Sequence, residues 1–185
     1  MNPLNQSCAS ARLNPPGWKT QAIQSVVLLI AGFVLGVLMT VLSLPGHGAE
    51  LTTEQQRSIY ALAYARANLP LPDQAPTIHV TTQENIRALL GCGRCRPSGA
   101  QIRENVYVDD ELDFSNAYDA SILLHELIHY LQWSAAGPAK SCEEWLEREQ
   151  RAIAVQARVL SSAGADTTRV RLSAQLLQTA CREAR

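Results

Sequence analysis

Nothing in this sequence of 185 residues is strongly basic: 16 Lys and Arg stand against 17 Asp and Glu, for a formal charge of −1. A nucleic-acid partner, which needs a clustered positive face, is not expected on that ground. Internal repeats and low-complexity runs are missing too, which sets aside solenoids and biased linkers. Histidine is scarce, with four in the whole chain. A charged fraction of 18% at this length suits one modest globular domain.

Charge is missing altogether from residues 23–44, IQSVVLLIAGFVLGVLMTVLSL. At about 1.5 Å per residue such a helix crosses a bilayer core of about 30 Å. Residues 1–22 carry Arg12 and Lys19, no acid and little apolar pattern, and read as a disordered tail. Positive residues ahead of an apolar span keep that end in the cytoplasm, so residues 50–185 are expected outside it. The length favours a retained signal anchor over a cleaved signal peptide, whose apolar core is usually about 7–15 residues. Leu44-Pro-Gly-His-Gly-Ala49 leaves cleavage after Ala49, and hence a secreted form, as the alternative.

Five cysteines follow from that placement. Cys8 falls on the cytoplasmic side, leaving Cys92, Cys95, Cys142 and Cys181 in a disulfide-permissive compartment. The favoured pairing is Cys92–Cys95 with Cys142–Cys181, because the first two are adjacent and the others flank neighbouring predicted helices. Cys92-Gly-Arg-Cys95 as a redox motif lacks the β-α-β surroundings such a motif requires.

The chain is organised around His125-Glu126-Leu-Ile-His129. On a helix, positions four apart lie one above the other, so both imidazoles aim at one point with Glu126 beside them. Two neutral imidazoles, one more protein ligand and an open position make a catalytic zinc site, and the intervening glutamate is the natural base for the attacking water. Ile122, Leu123, Leu124, Leu127, Ile128 and Leu131 supply a wide apolar stripe, Asp119 or Ser115 a cap, and Gly137-Pro138 the stop. Apolar nearly all round, this helix is expected buried in the middle of the domain. Three polar side chains there need partners, because burying them unpaired costs several kcal/mol.

A third ligand is sought on the next predicted helix, which opens at Ser141-Cys-Glu-Glu144 as a capping box. Trp145, Ala152, Ile153, Gln156 and Leu160 define one stripe of that helix. Glu149 lies on the stripe, whereas Glu147 falls about 160° away on the wet side. Glu149 is therefore the first candidate, ahead of Glu147 and Glu144; a buried salt bridge to Arg148 or Arg151 is the bland alternative for it.

The rest of the exported part reads as helix over Leu51–Leu69, a short strand at Thr77–Thr81, a short helix from Glu84 to Leu90 and a strand over Gln101–Asp110. A last helix follows from Asp166, with nothing chemical in it. His79, alone in its strand, is expected to be structural. The acids Asp109, Asp110, Glu111 and Asp113 lack the glycine-punctuated spacing of a calcium loop. The fold class expected is α+β and predominantly helical.

These residues resemble the zincin metallopeptidases, and within them the gluzincin branch, including small exported bacterial proteins of this type. His125-Glu126-x-x-His129 matches the family motif, and Glu149-x-x-Ala152 looks like the glutamate motif on the following helix. The similarity covers about residues 100–160. It implies a small zincin-like domain behind the N-terminal anchor, with zinc held by His125, His129 and Glu149, Glu126 as catalytic base and a peptide or protein as substrate. It also implies a neighbouring cleft strand, for which Val106–Val108 is the candidate. The chain departs from the pattern at Ile153, where many gluzincins carry Asn or Asp, and it offers no evident oxyanion donor. Tyr107 and Tyr118 are the candidates, while Tyr130 points elsewhere by helical phase. The alternative function is a non-catalytic zinc module, or an empty imitation of one, that binds a cell-envelope partner.

Overall fold

A computed structural model of the chain describes residues 51–180. The tail and the anchor expected over residues 1–44 lie outside the described residues. Among the described residues, no helix is long and apolar enough to cross a membrane.

Helix α1 (Thr53–Ala67) begins at Thr52, whose hydroxyl accepts the Gln55 amide while the Gln55 side chain accepts the Thr52 N–H. That reciprocal cap satisfies two donors the helix would otherwise leave open. Ile59, Ala63 and Ala67 recur at every fourth position and are buried. The helix stops at Asn68, in the left-handed conformation with φ 52°.

Strand β1 (Thr77–Thr81) and helix α2 (Gln83–Leu89) come next, followed by β2 (Gly99–Ile102) and β3 (Asn105–Asp109). The sheet order is β1-β3-β2, with β1 parallel and β2 antiparallel to the central β3. The single strand expected over Gln101–Asp110 is thus two strands of a hairpin. Its two-residue turn is Arg103-Glu104, with Arg103 at φ 57°, the left-handed geometry a tight hairpin demands. The Gln101 side-chain amide donates to the Arg103 carbonyl and helps hold that turn.

Helix α3 (Ala117–Ala136) carries the His-Glu-His motif through the centre of the domain. Leu123, Leu127, Ile128 and Leu131 are wholly buried, packing with Val106 and Val108 of β3 and the inner face of α1. Its cap is neither Asp119 nor Ser115. Asn116 accepts the Asp119 N–H at 2.8 Å, because Ser115 is spent on Asp113 and the Asp119 carboxylate accepts from the Asp113 N–H and the Asn116 amide. These bonds also explain the acidic stretch: Asp113 and Asp119 build a turn and a cap, and Asp109 accepts the Glu111 N–H. Gly137, at φ 72°, ends the helix as expected.

Helix α4 (Cys142–Ser162) starts at Ser141, which caps the Glu144 N–H. The box is only half made, since the Glu144 carboxylate accepts from the Lys140 N–H and pairs with Arg148. Ala152, Val155 and Val159 face the main core, and Ile153 and Leu160 pack with Val170 of α5 (Thr168–Ala180) in a smaller cluster. Trp145 departs from its expected place: it is exposed, about two turns before the buried part of the stripe begins at Ala152.

Cys92 and Cys95 are bonded and pin the loop between α2 and β2. Cys142 is also in a disulfide; Cys181, the partner expected for it, lies outside the described residues.

Candidate metal centre

Two helices build the site. His125 and His129, one turn apart on α3, face Glu149 of α4, which the stripe of buried positions on that helix turns toward them. The two Nε2 atoms lie 2.9 Å apart, and the Glu149 oxygens stand 3.4 Å from His125 Nε2 and 3.1 Å from His129 Nε2. All three donor atoms fall within 4.8 Å of one another, an arrangement that could hold a metal ion. Their side chains are between 14% and 17% exposed, so the cluster is largely shielded from solvent.

Electrostatics bind the three groups together. Burial pushes the Glu149 carboxyl up, but hydrogen bonds from His125 and His129 and their charge outweigh it and hold it at about 2. Burial pulls His129 down, yet its bonds to Glu149 and Gln132 and the nearby carboxylates raise it above the ordinary value. Glu149 forms no pair with Arg148, which instead donates to the Gly137 carbonyl and pairs with Glu144. Glu147 is exposed. Of the three glutamates weighed from the sequence, only Glu149 joins the histidines.

Gln132 was not among the sequence candidates. Its carboxamide oxygen accepts a hydrogen bond from His129 Nδ1–H at 2.9 Å, and its NH2 group donates to the Arg148 carbonyl at 3.0 Å. With Nδ1 protonated, the lone pair of neutral His129 sits on Nε2, facing Glu149 and His125. A glutamine three residues after a candidate ligand on one helix is a signal the sequence does carry. His125 Nδ1 is buried without a hydrogen-bond partner among the described residues.

Glu126 lies against β2. A Cβ added at Gly99 would meet its Cγ at 2.7 Å, so only glycine allows the strand this close. The Gln101 N–H donates to the Glu126 carboxylate, and burial pushes that carboxyl above its ordinary value against the pull of both histidines.

The strand beside the site is therefore β2, not Val106–Val108. Being central, β3 already spends its backbone groups on both neighbours, whereas β2 closes one side of the sheet. Two cavities meet at the motif, of 480 and 540 Å³, and both are lined by Gly99, His125, Glu126 and Glu149. Tyr118 borders the first; Trp133, Trp145 and Arg148 border the second. His79 and Tyr107 are elsewhere, stacked at 4.8 Å, with His79 hydrogen-bonded to Asn105. Tyr130 is buried and donates to the Gln74 carbonyl. Against known proteins, no family model, no curated protein and no solved structure matches the chain.

Proposed function

We propose that this chain is a zinc-dependent, zincin-like metallopeptidase whose domain acts outside the cytoplasm. The observation that carries the reading is the His125, His129 and Glu149 triangle with Glu126 beside it. Its edges of 2.9, 3.1 and 3.4 Å compare with about 3.3 Å between ligands of a tetrahedral ion bonded at about 2.0–2.1 Å. Two imidazoles and one carboxylate are a donor set suited to catalytic zinc, which keeps a fourth position open. When bound there, zinc supplies a Lewis acid and lowers the pKa of water.

The chain's own residues supply the rest. Glu126 takes the proton of the attacking water and returns it to the leaving amine, a task suited to a carboxyl raised toward neutrality. The Ser98 carbonyl accepts the Asp109 N–H, so by antiparallel alternation Gly99 and Gln101 turn their backbone groups to the free side of β2. Glu126 occupies the Gln101 N–H, which leaves both Gly99 groups and the Gln101 carbonyl for an extended peptide. Tyr118, which lines the cavity beside Glu126, is the candidate to steady a developing oxyanion. The Cys92–Cys95 bond supports an exported location, with residues 23–44 as the membrane anchor.

The deciding measurement is zinc content with peptide hydrolysis for wild type, Glu149→Ala and Glu126→Gln. Wild type should carry about one zinc per chain, Glu149→Ala much less, and Glu126→Gln full zinc without hydrolysis. Full zinc with no hydrolysis in the wild type would favour the non-catalytic module.

A further inference from the structure

We propose that the lip formed by the end of α2 and the loop into β2 rests on a bilayer of anionic phospholipid. This contact goes beyond the peptidase reading and rests on the anchor proposed with it. From Leu44 to Leu51 the chain reaches about 25 Å at most, so a retained span over residues 23–44 keeps the domain close to the lipid surface. Charge picks out the part of the domain that fits there. Residues 85–103 hold Arg87, Arg94, Arg96 and Arg103 and no acid, whereas Lys140 and Arg148 are the only cations in the acid-rich residues 104–149. Arg87 reaches Glu84 at 3.9 Å; Arg94, Arg96 and Arg103 are exposed and form no ion pair among the described residues.

Apolar surface lies between these charges. Helix α2 buries only Ile86, and beyond it Leu89 and Leu90 stand 52% and 45% exposed. Leu89 shares a groove with Val80 of β1, also exposed, so the leucines continue an apolar strip. The Cys92–Cys95 bond then closes a short loop whose exposed tip is Gly93-Arg94, which holds Arg94 at the surface before any partner arrives. Leucines that enter the headgroup boundary lose unfavourable hydration while the arginines meet phosphates, which is how a protein binds an anionic interface. An acidic protein segment would also answer the arginines, but Leu89 and Leu90 require an apolar layer beneath a charged one, and a bilayer has both. Leu90, Gly99, Gln101 and Arg103 line the cavity that also borders Glu126 and His129, so contact through this lip brings the mouth of the cleft to the membrane surface.

The test uses the full chain with Cys8→Ser and Leu89→Cys, labelled at residue 89 with an environment-sensitive fluorophore. It would be reconstituted in nanodiscs of phosphatidylcholine, with or without phosphatidylglycerol, each carrying a headgroup nitroxide as quencher. Quenching should be strong in the anionic discs, weak in the neutral ones and lost at high salt, where the attraction is screened. Each arginine near an anionic surface strengthens contact about five-fold, so Arg94→Gln with Arg96→Gln should lower the contact equilibrium about 25-fold. Arg94→Lys with Arg96→Lys should leave it near wild type. Equal quenching in both discs, or quenching that the glutamine pair does not move, overturns the lipid contact, and a chain that still elutes with neutral discs leaves the anchor standing. A chain that elutes free of neutral discs overturns the anchor; the lip stands if anionic discs alone retain and quench it, and falls with the anchor if they do not. Poly-glutamate that relieves the quenching by binding the lip more tightly than the anionic discs overturns the lipid in favour of an acidic protein.

Discussion

Two residues that bear no ligand atom set the quality of this site. Gln132 fixes the ring of His129 by accepting from Nδ1, and it is itself fixed by the Arg148 carbonyl. Gln132→Leu keeps the volume and removes both bonds, so zinc affinity should fall by about 10- to 100-fold in chelator competition while the fold persists. An unchanged affinity would mean that packing alone orients the ring. Gly99 acts on the base instead. In Gly99→Ala the new methyl and Glu126 Cγ cannot share a 2.7 Å gap, and either the strand or the carboxylate must move. Displacing a catalytic group by about 1 Å can cost about 100-fold, so kcat should drop on that scale with zinc content untouched. A fall in zinc content would show that the strain reaches the ligands rather than the base.

Helix α3 ties sequence to site most directly, and its start can be weighed. Asn116→Ala removes the cap that receives the Asp119 N–H and should cost about 1 kcal/mol in urea unfolding, while Ser115→Ala, which loses only the bond to Asp113, should cost less. The body of this helix is legible in the sequence, because six large apolar residues in phase admit no other element and Gly137 marks the end. Glu149 is legible for the same reason, since helical phase alone separates it from Glu147. The start is less so: Ser115, Asn116 and Asp119 are all capping residue types, and the choice depends on Asp113 competing for Ser115. The hairpin hides because Arg103-Glu104 is not a turn-forming pair, and nothing local in Ala100–Val108 distinguishes one strand from two. Which strand borders the cleft is not local at all. It follows from β1 pairing with β3 across the intervening helix, and that pairing places β2 on the outside. Trp145 obeys the stripe in phase but sits before α4 reaches the core, so periodicity overstates its burial.

Seen across the whole domain, the site is a cluster of ionisable groups that fastens α4 to α3, so the stability of the fold should report on its protons. His129 is raised above its ordinary 6.5, which means that its proton favours the folded state. That contribution is complete below 6.5 and disappears as pH rises through the folded value. Glu149 behaves oppositely, being held at about 2 against an ordinary 4.5. Its contribution, on the order of 3 kcal/mol, is present above 4.5 and is lost as pH falls toward 2. Glu126 is raised by burial, so its ionisation works against the fold once pH passes its ordinary 4.5. Without metal, these three place the greatest stability near pH 4.5, the lower edge of a window that Glu126 erodes above 4.5 and His129 erodes further above 6.5. Zinc changes the upper side of that window, because it needs neutral imidazoles and takes the place of the proton between them and Glu149. Thermal unfolding followed by circular dichroism from pH 3 to 9 should therefore show Tm declining above about pH 6.5 in chelator-treated protein and still rising there after zinc loading. Parallel curves for the two forms would mean that His129 and Glu149 do not share a metal, and the triangle would then be a buried ion pair between two helices.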